Sequence, residues 1–158
     1  MPSTVTSNHP LPTWMERMYQ HHAWSNRVLI DFLSKLTDSQ LSRTVPGTYG
    51  DSLATIRHII SSNADYGRII PDMPEVPQIA QDGPFEGWDH LREVAEATDT
   101  ALMAYVATPT ADYFFVDIDQ EDQESFELTR SMLLCQIIHH ATEHRSQIRT
   151  TLSAHGIT

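Results

Sequence analysis

Toward the C-terminus the chain reads Ile138-His139-His140-Ala141-Thr142-Glu143-His144-Arg145. His140 and His144 are four residues apart in a strongly helical stretch. That spacing sets two imidazoles on one helix face, about 6 Å apart. Two such donors on one helix are half of a transition-metal site. The other half must come from a second element, and chemistry would need one position left open for water or substrate.

The helical wheel narrows the candidates. His140 and His144 align, within about 80°, with Leu133, Ile137, Ile148 and Thr151, so both face inward or toward the rim of a core. His139 lies about 140° from His144 and cannot share an ion with it. Cys135 is about 140° around from His140 and reads as a small packed residue rather than a nucleophile. The spacing alone leaves the pair open, either a half-site or a hydrogen-bonded or coincidental pair. His58 is the only histidine between positions 23 and 89. It falls beside Ala54, Ser61, Ser62 and Asp65, away from Ile56 and Ile60. Periodicity does not decide whether it is an exposed histidine on a polar face or a ligand with room for an ion at the bundle's edge. His21 and His22 are rivals, expected instead to be partly buried with a ring nitrogen bonded to a neighbour. His9, His90 and His155 are expected in solvent.

Two sharper motifs fail. His140-x-x-Glu143-His144 fits the inverted zinc-protease pattern, but that chemistry needs a further carboxylate ligand and no acidic residue follows Glu143. Asp117-x-Asp119-x-Glu121 opens like a calcium loop. Asp122 then stands where glycine is required and Leu128 where the bidentate glutamate should be, so it reads as a solvated turn. No Gly-x-Ser-x-Gly elbow and no phosphate-binding glycine loop occurs.

The elements that must position these groups are helical. Thr13-x-x-Glu16 has capping-box spacing, and Trp14, Met18, Val28, Leu29, Phe32, Leu33 and Leu36 recur with helical period, giving a first helix to about Leu36. Asp51 or Ser52 can cap a second helix over 52–69, with a stripe of Leu53, Ile56, Ile59, Ile60, Ala64 and Gly67. Four prolines between 71 and 87 exclude helix and central strand, leaving a long ordered loop or flap. A third helix is expected over 88–106, facing Trp88, Leu91, Ala95, Thr98, Leu102 and Tyr105 inward. Tyr113–Val116 and Ser125–Leu128 suggest a small hairpin around an acidic turn. A fourth helix runs from near Thr129 to Ala154, before Gly156. The fold expected is an all-α four-helix bundle with a long crossover between helices two and three and a β-hairpin before helix four.

Composition excludes some partners. The 158-residue chain suits one domain, with 1–11 as a flexible lead. Its net charge is −11, with one lysine beside nine arginines, so a phosphate backbone would be repelled and nucleic acid is not expected. No window approaches the ~18 apolar residues of a membrane span, and Met1–Pro10 lacks the basic start and apolar centre of a secretory signal. The single cysteine excludes an internal disulfide framework and fits a reducing cytoplasm.

Several ordered segments together resemble the DinB-like superfamily of four-helix bundles. They are His22-Ala23-Trp24-Ser25-Asn26 with Leu29, Asp38-x-x-Leu41 through Tyr49-Gly50-Asp51-Ser52, Ile56-Arg57-His58-Ile59-Ile60 with Tyr66, and His140-Ala141-Thr142-Glu143-His144-Arg145-Ser146-Gln147. Ser146 stands where glycine is usual, Tyr66 where tryptophan is frequent, and Gln136 where many members carry another histidine. The resemblance implies a three-histidine metal site, with His58 from helix two joining His140 and His144. It also implies a metal-dependent hydrolase or low-molecular-weight-thiol S-transferase, and a homodimer. The rival expectations are a metal-binding stress or structural bundle without turnover, and a metal-free interaction bundle.

Three neutral imidazoles leave a divalent ion at least one exchangeable position. Zinc is the first choice, with nickel, iron or manganese compatible. Such an ion could activate water or a small thiol. Gln147, near the His140 face, is expected to orient a ligand or water. Substrate identity and general acid–base residues are not legible.

Overall fold

The computed structural model describes residues 13–81, 83–108, 114–118 and 125–157. In chain order the elements are α1 (Trp14–Leu33), α2 (Asp38–Leu41), α3 (Ser52–Ile69), α4 (Trp88–Ala107), β1 (Phe114–Ile118), β2 (Ser125–Thr129) and α5 (Arg130–Ala154). The four long helices form the bundle. α1 packs chiefly on α4 and α3 on α5, while α1 and α5 approach each other less closely. None of the described helices is long and apolar enough to cross a membrane.

Local chemistry explains the boundaries. Thr13 and Glu16 exchange hydrogen bonds in a capping box that opens α1. The Asp51 carboxylate accepts from the Ala54 N–H at 2.7 Å to open α3, and the Thr129 hydroxyl accepts from the Met132 N–H at 3.1 Å to open α5. Before α4 the chain turns at Gly87 with φ 103°, a conformation that costs a side-chain-bearing residue dearly. The short α2 falls in the stretch between the first and second helices expected from the sequence. Thr37 and Gln40 form a second capping box there, enough for one turn.

α1 is rotated relative to the expected stripe. Trp14, Met18 and Val28 are exposed, and the buried side is Tyr19, His22, Asn26, Ile30 and Leu33. A stripe read from apolar residues alone misses His22 and Asn26, because their partners lie on other helices.

Those partners divide the core. One apolar cluster includes Ile30, Leu33, Ile56, Ile59, Val94 and Ile148, and the other Tyr19, Ile70, Leu102, Leu134 and Ile137. Along α1 and α4 the residues between the two clusters are polar: His22 and Asn26 on one helix, Thr98 and Asp99 on the other, all buried.

The segment from Ile70 to Gly87 is pinned rather than helical. The Arg57 guanidinium donates to the carbonyls of Ala80 (2.9 Å) and Gly83 (2.6 Å), while Ile79 and Phe85 pack on the core. Gly67 admits Met73, since a Cβ there would lie 3.3 Å from the Met73 methyl carbon. The hairpin is antiparallel, with Phe114 opposite Thr129 and Ile118 opposite Ser125, and β2 runs straight into α5. The rejected calcium-loop turn, for its part from 119 to 124, and the expected lead 1–11 lie outside the described residues.

Candidate metal centre

His58 projects from α3 and His140 and His144 from α5, the two helices that pack together. Their candidate ligand atoms all lie within 4.8 Å of one another, and no other such cluster occurs among the described residues. Nε2 of His58 is 3.0 Å from Nε2 of His140. Two imidazole nitrogens on one zinc ion, each at about 2.0–2.1 Å, stand about 2.9–3.4 Å apart, so this approach suits a shared ion. The donor set fits as well, because neutral nitrogens alone suit a borderline transition metal.

The protonation states agree with that fit. Burial pushes His140 down to about 4, and the neighbouring His144 and His58 add to the effect. Burial also lowers His144, against the opposing effect of the hydrogen bond that His144 donates to Gln147. Both rings are therefore neutral near pH 7 without a metal, and a neutral imidazole is the ligating form.

Each ring is held differently. Nδ1 of His58 lies 2.9 Å from Oε1 of Gln81, and Nδ1 of His144 lies 3.0 Å from Oε1 of Gln147. An amide oxygen only accepts, so both Nδ1 atoms carry the proton and both Nε2 lone pairs are presented to the shared space. Nδ1 of His140 is buried without a partner. Tyr49 stacks on the His58 ring at 4.2 Å and meets His144 edge-on at 5.0 Å, while Tyr66 meets His140 edge-on at 5.6 Å. Among the described residues no carboxylate hydrogen-bonds any of the three imidazoles.

The other histidines lie elsewhere. His22 is buried, its Nε2 3.0 Å from the Asn63 amide nitrogen and 3.1 Å from that of Asn26, as expected of a core histidine. His21 and His139 are exposed on their helices. His90 is half-buried, 3.8 Å from the Glu86 carboxylate, and His155 is exposed, bonded to the Thr44 carbonyl. Cys135 corrects an expectation: it is exposed, not packed, because it sits on the outer side of α5 between buried Leu134 and exposed Gln136.

Sequence reasoning missed Gln81 and Tyr49 as neighbours of the triad. Both come from loops, where periodicity says nothing about direction. Gln147 carried a signal, its place on the His140 face, but it contacts His144.

The geometry thus gathers three imidazoles from α3 and α5 that can hold a metal ion. Searches of curated proteins and of solved structures find no match. A family model, described as the DinB family, matches residues 1–158. The chain belongs to the DinB family.

Proposed function

We propose that this chain is a metal-dependent hydrolase or low-molecular-weight-thiol S-transferase whose ion is held by His58, His140 and His144. The observation that carries the reading is the convergence of three imidazoles from two helices, with two Nε2 atoms 3.0 Å apart. A bound divalent ion, with zinc preferred and nickel, iron or manganese compatible, would supply Lewis acidity and lower the pKa of a water or thiol. The chain's own residues do the rest. The glutamine acceptors fix the ring tautomers, and Tyr49 and Tyr66 flank the triad with aromatic surface that limits water and favours the uncharged part of a small substrate. The site is proposed to work in the cytoplasm, on a small molecule.

A homodimer accompanies this reading. Its support is the run of exposed Trp14, Met18, Trp24 and Val28 along α1.

A second reading, a metal-binding bundle without turnover, draws on the lack, among the described residues, of a carboxylate bonded to the triad. One experiment separates the readings. Metal content of the purified wild type is compared with His140→Ala, and the metallated protein is then incubated with electrophiles and a panel of cellular thiols. About one equivalent in wild type, lost in the variant, with thiol consumption, supports the proposal. Equal, near-zero metal in both sinks it, and metal without turnover across the panel favours the second reading.

A further inference from the structure

We infer that Gln81, Tyr49 and Gln147 form one continuous clamp outside the triad, and that the two glutamines are positioning residues for the metal. The inference rests on the metal reading above and deepens it.

The contacts run without a break from one imidazole to the other. Oε1 of Gln147 accepts from Nδ1 of His144 and, at the same time, from the Tyr49 backbone N–H, each at 3.0 Å. The Tyr49 ring lies nearly parallel to the His58 ring, 13° from coplanar with centroids 4.2 Å apart. Its hydroxyl accepts from the Gln81 amide N–H. The oxygen of that same amide returns to Nδ1 of His58 at 2.9 Å. Both glutamines therefore reach a ligand and Tyr49 together, which incidental surface hydrogen bonds would not do twice. The three residues come from α5, from the connection between α2 and α3, and from the loop after α3. No single element could hold both rings.

The physical effect is orientation. A ligating imidazole whose outer N–H is anchored presents its lone pair in one direction, and losing such an anchor weakens metal binding by about 10–100-fold. Ser62 lies 3.5 Å from Nδ1 of His58, too far to replace the Gln81 acceptor. His140 stands outside the clamp, since its Nδ1 meets no partner. Its ring is set instead by Tyr66 and by the facing Nε2 of His58.

The test measures zinc affinity by competition with a chromophoric chelator, and records the visible spectrum of the cobalt(II) form. It compares wild type, Gln81→Leu, Gln147→Leu, the double variant and Gln147→Glu, with melting of each chelated protein as a check on folding. Expected are losses of about 10–100-fold for each leucine variant with an altered cobalt band. The double variant should lose less than the product of the two, because the clamp is one unit. Gln147→Glu, which keeps an acceptor, should recover most of the affinity. Leucine variants that bind zinc within twofold of wild type with an unchanged cobalt spectrum overturn the clamp, as do losses that multiply independently. A wild type that takes up neither ion sinks the metal reading itself, a result distinct from either of these.

Discussion

Asn26 and Arg145, 119 positions apart in the chain, are joined by a 2.8 Å hydrogen bond from the guanidinium to the amide oxygen. The amide nitrogen of Asn26 donates in turn to both carboxyl oxygens of Asp99, at 3.3 and 3.2 Å. One uncharged side chain, wholly buried, therefore stands between a cation of α5 and a carboxyl of α4. With His22 and Asn63 at hydrogen-bond distance, this polar layer ties all four long helices together where the two apolar clusters part.

Replacing Asn26 by alanine removes the acceptor of Arg145 and a donor to Asp99 in one step. The expected loss is about 2–4 kcal/mol, because the buried Asp99 carboxyl loses its amide donor and the half-buried Arg145 guanidinium keeps only the Thr142 hydroxyl. Urea denaturation of Asn26→Ala beside wild type measures it, and a loss under 1 kcal/mol would show that water replaces the amide without penalty.

The same layer sets a pH signature. Burial raises Asp99 to about 7 and lowers His22 to about 3, the latter helped by the charge of Arg145. Between about pH 4 and 7 the folded chain keeps a proton on Asp99 that the unfolded chain has lost, so this group's contribution to stability falls as pH rises. Between about pH 3 and 6.5 the unfolded chain carries a proton on His22 that the folded chain excludes, so that contribution rises with pH. The two slopes largely cancel from pH 4 to 6.5. Asp99→Asn removes only the first. Its stability relative to wild type should climb with pH across that window, by up to about 1.4 kcal/mol per unit, in paired denaturation curves with chelator present. A difference that stays flat with pH would contradict the assignment.

Arg57 holds the α3–α4 crossover through two backbone carbonyls flanking Gln81. Arg57→Ala should speed amide exchange over residues 79–85 while changing global stability by less than about 1 kcal/mol, as expected of a local opening. Unchanged exchange there would mean that Ile79 and Phe85 alone secure the loop.

Cys135 is open to solvent on α5. It should react stoichiometrically with a thiol reagent under native conditions, and Cys135→Ser should leave stability within about 0.5 kcal/mol of wild type. Protection until unfolding would return the residue to the packed position that periodicity assigned it.

Much of this architecture is legible in the chain. Asp51 and Thr129 are cap residues whose chemistry is local, and the boundaries of α3 and α5 follow from them. The inward face of α5 follows from Leu133, Ile137 and Ile148, and it carries His144 with it. The misplaced stripe of α1 has one cause. The burial of Asn26 beside the expected His22, and with it the rotation of α1, depends on Asn63, Asp99 and Arg145, which no window around residue 22 contains. The site shows the same division. His140 and His144 are a local pattern, whereas the arrival of His58 beside them is a tertiary event that helical period left undecided. Tyr49 and Gln81 sit on loops whose direction no periodicity encodes.

His58 and His140 are separated by 82 positions, yet their Nε2 atoms stand 3.0 Å apart. An ion joining them would be a reversible cross-link around about half of the chain. Because unfolding would release it, such an ion would stabilise the native chain by mass action, by about 2.7 kcal/mol at a free concentration a hundred times its Kd. No short fragment contains all three donors, so the ion would be retained chiefly by molecules in which α3 and α5 have already met. Occupancy would then act as a tally of completed folding, and stripping the ion would shorten the lifetime of the native chain before touching any chemistry.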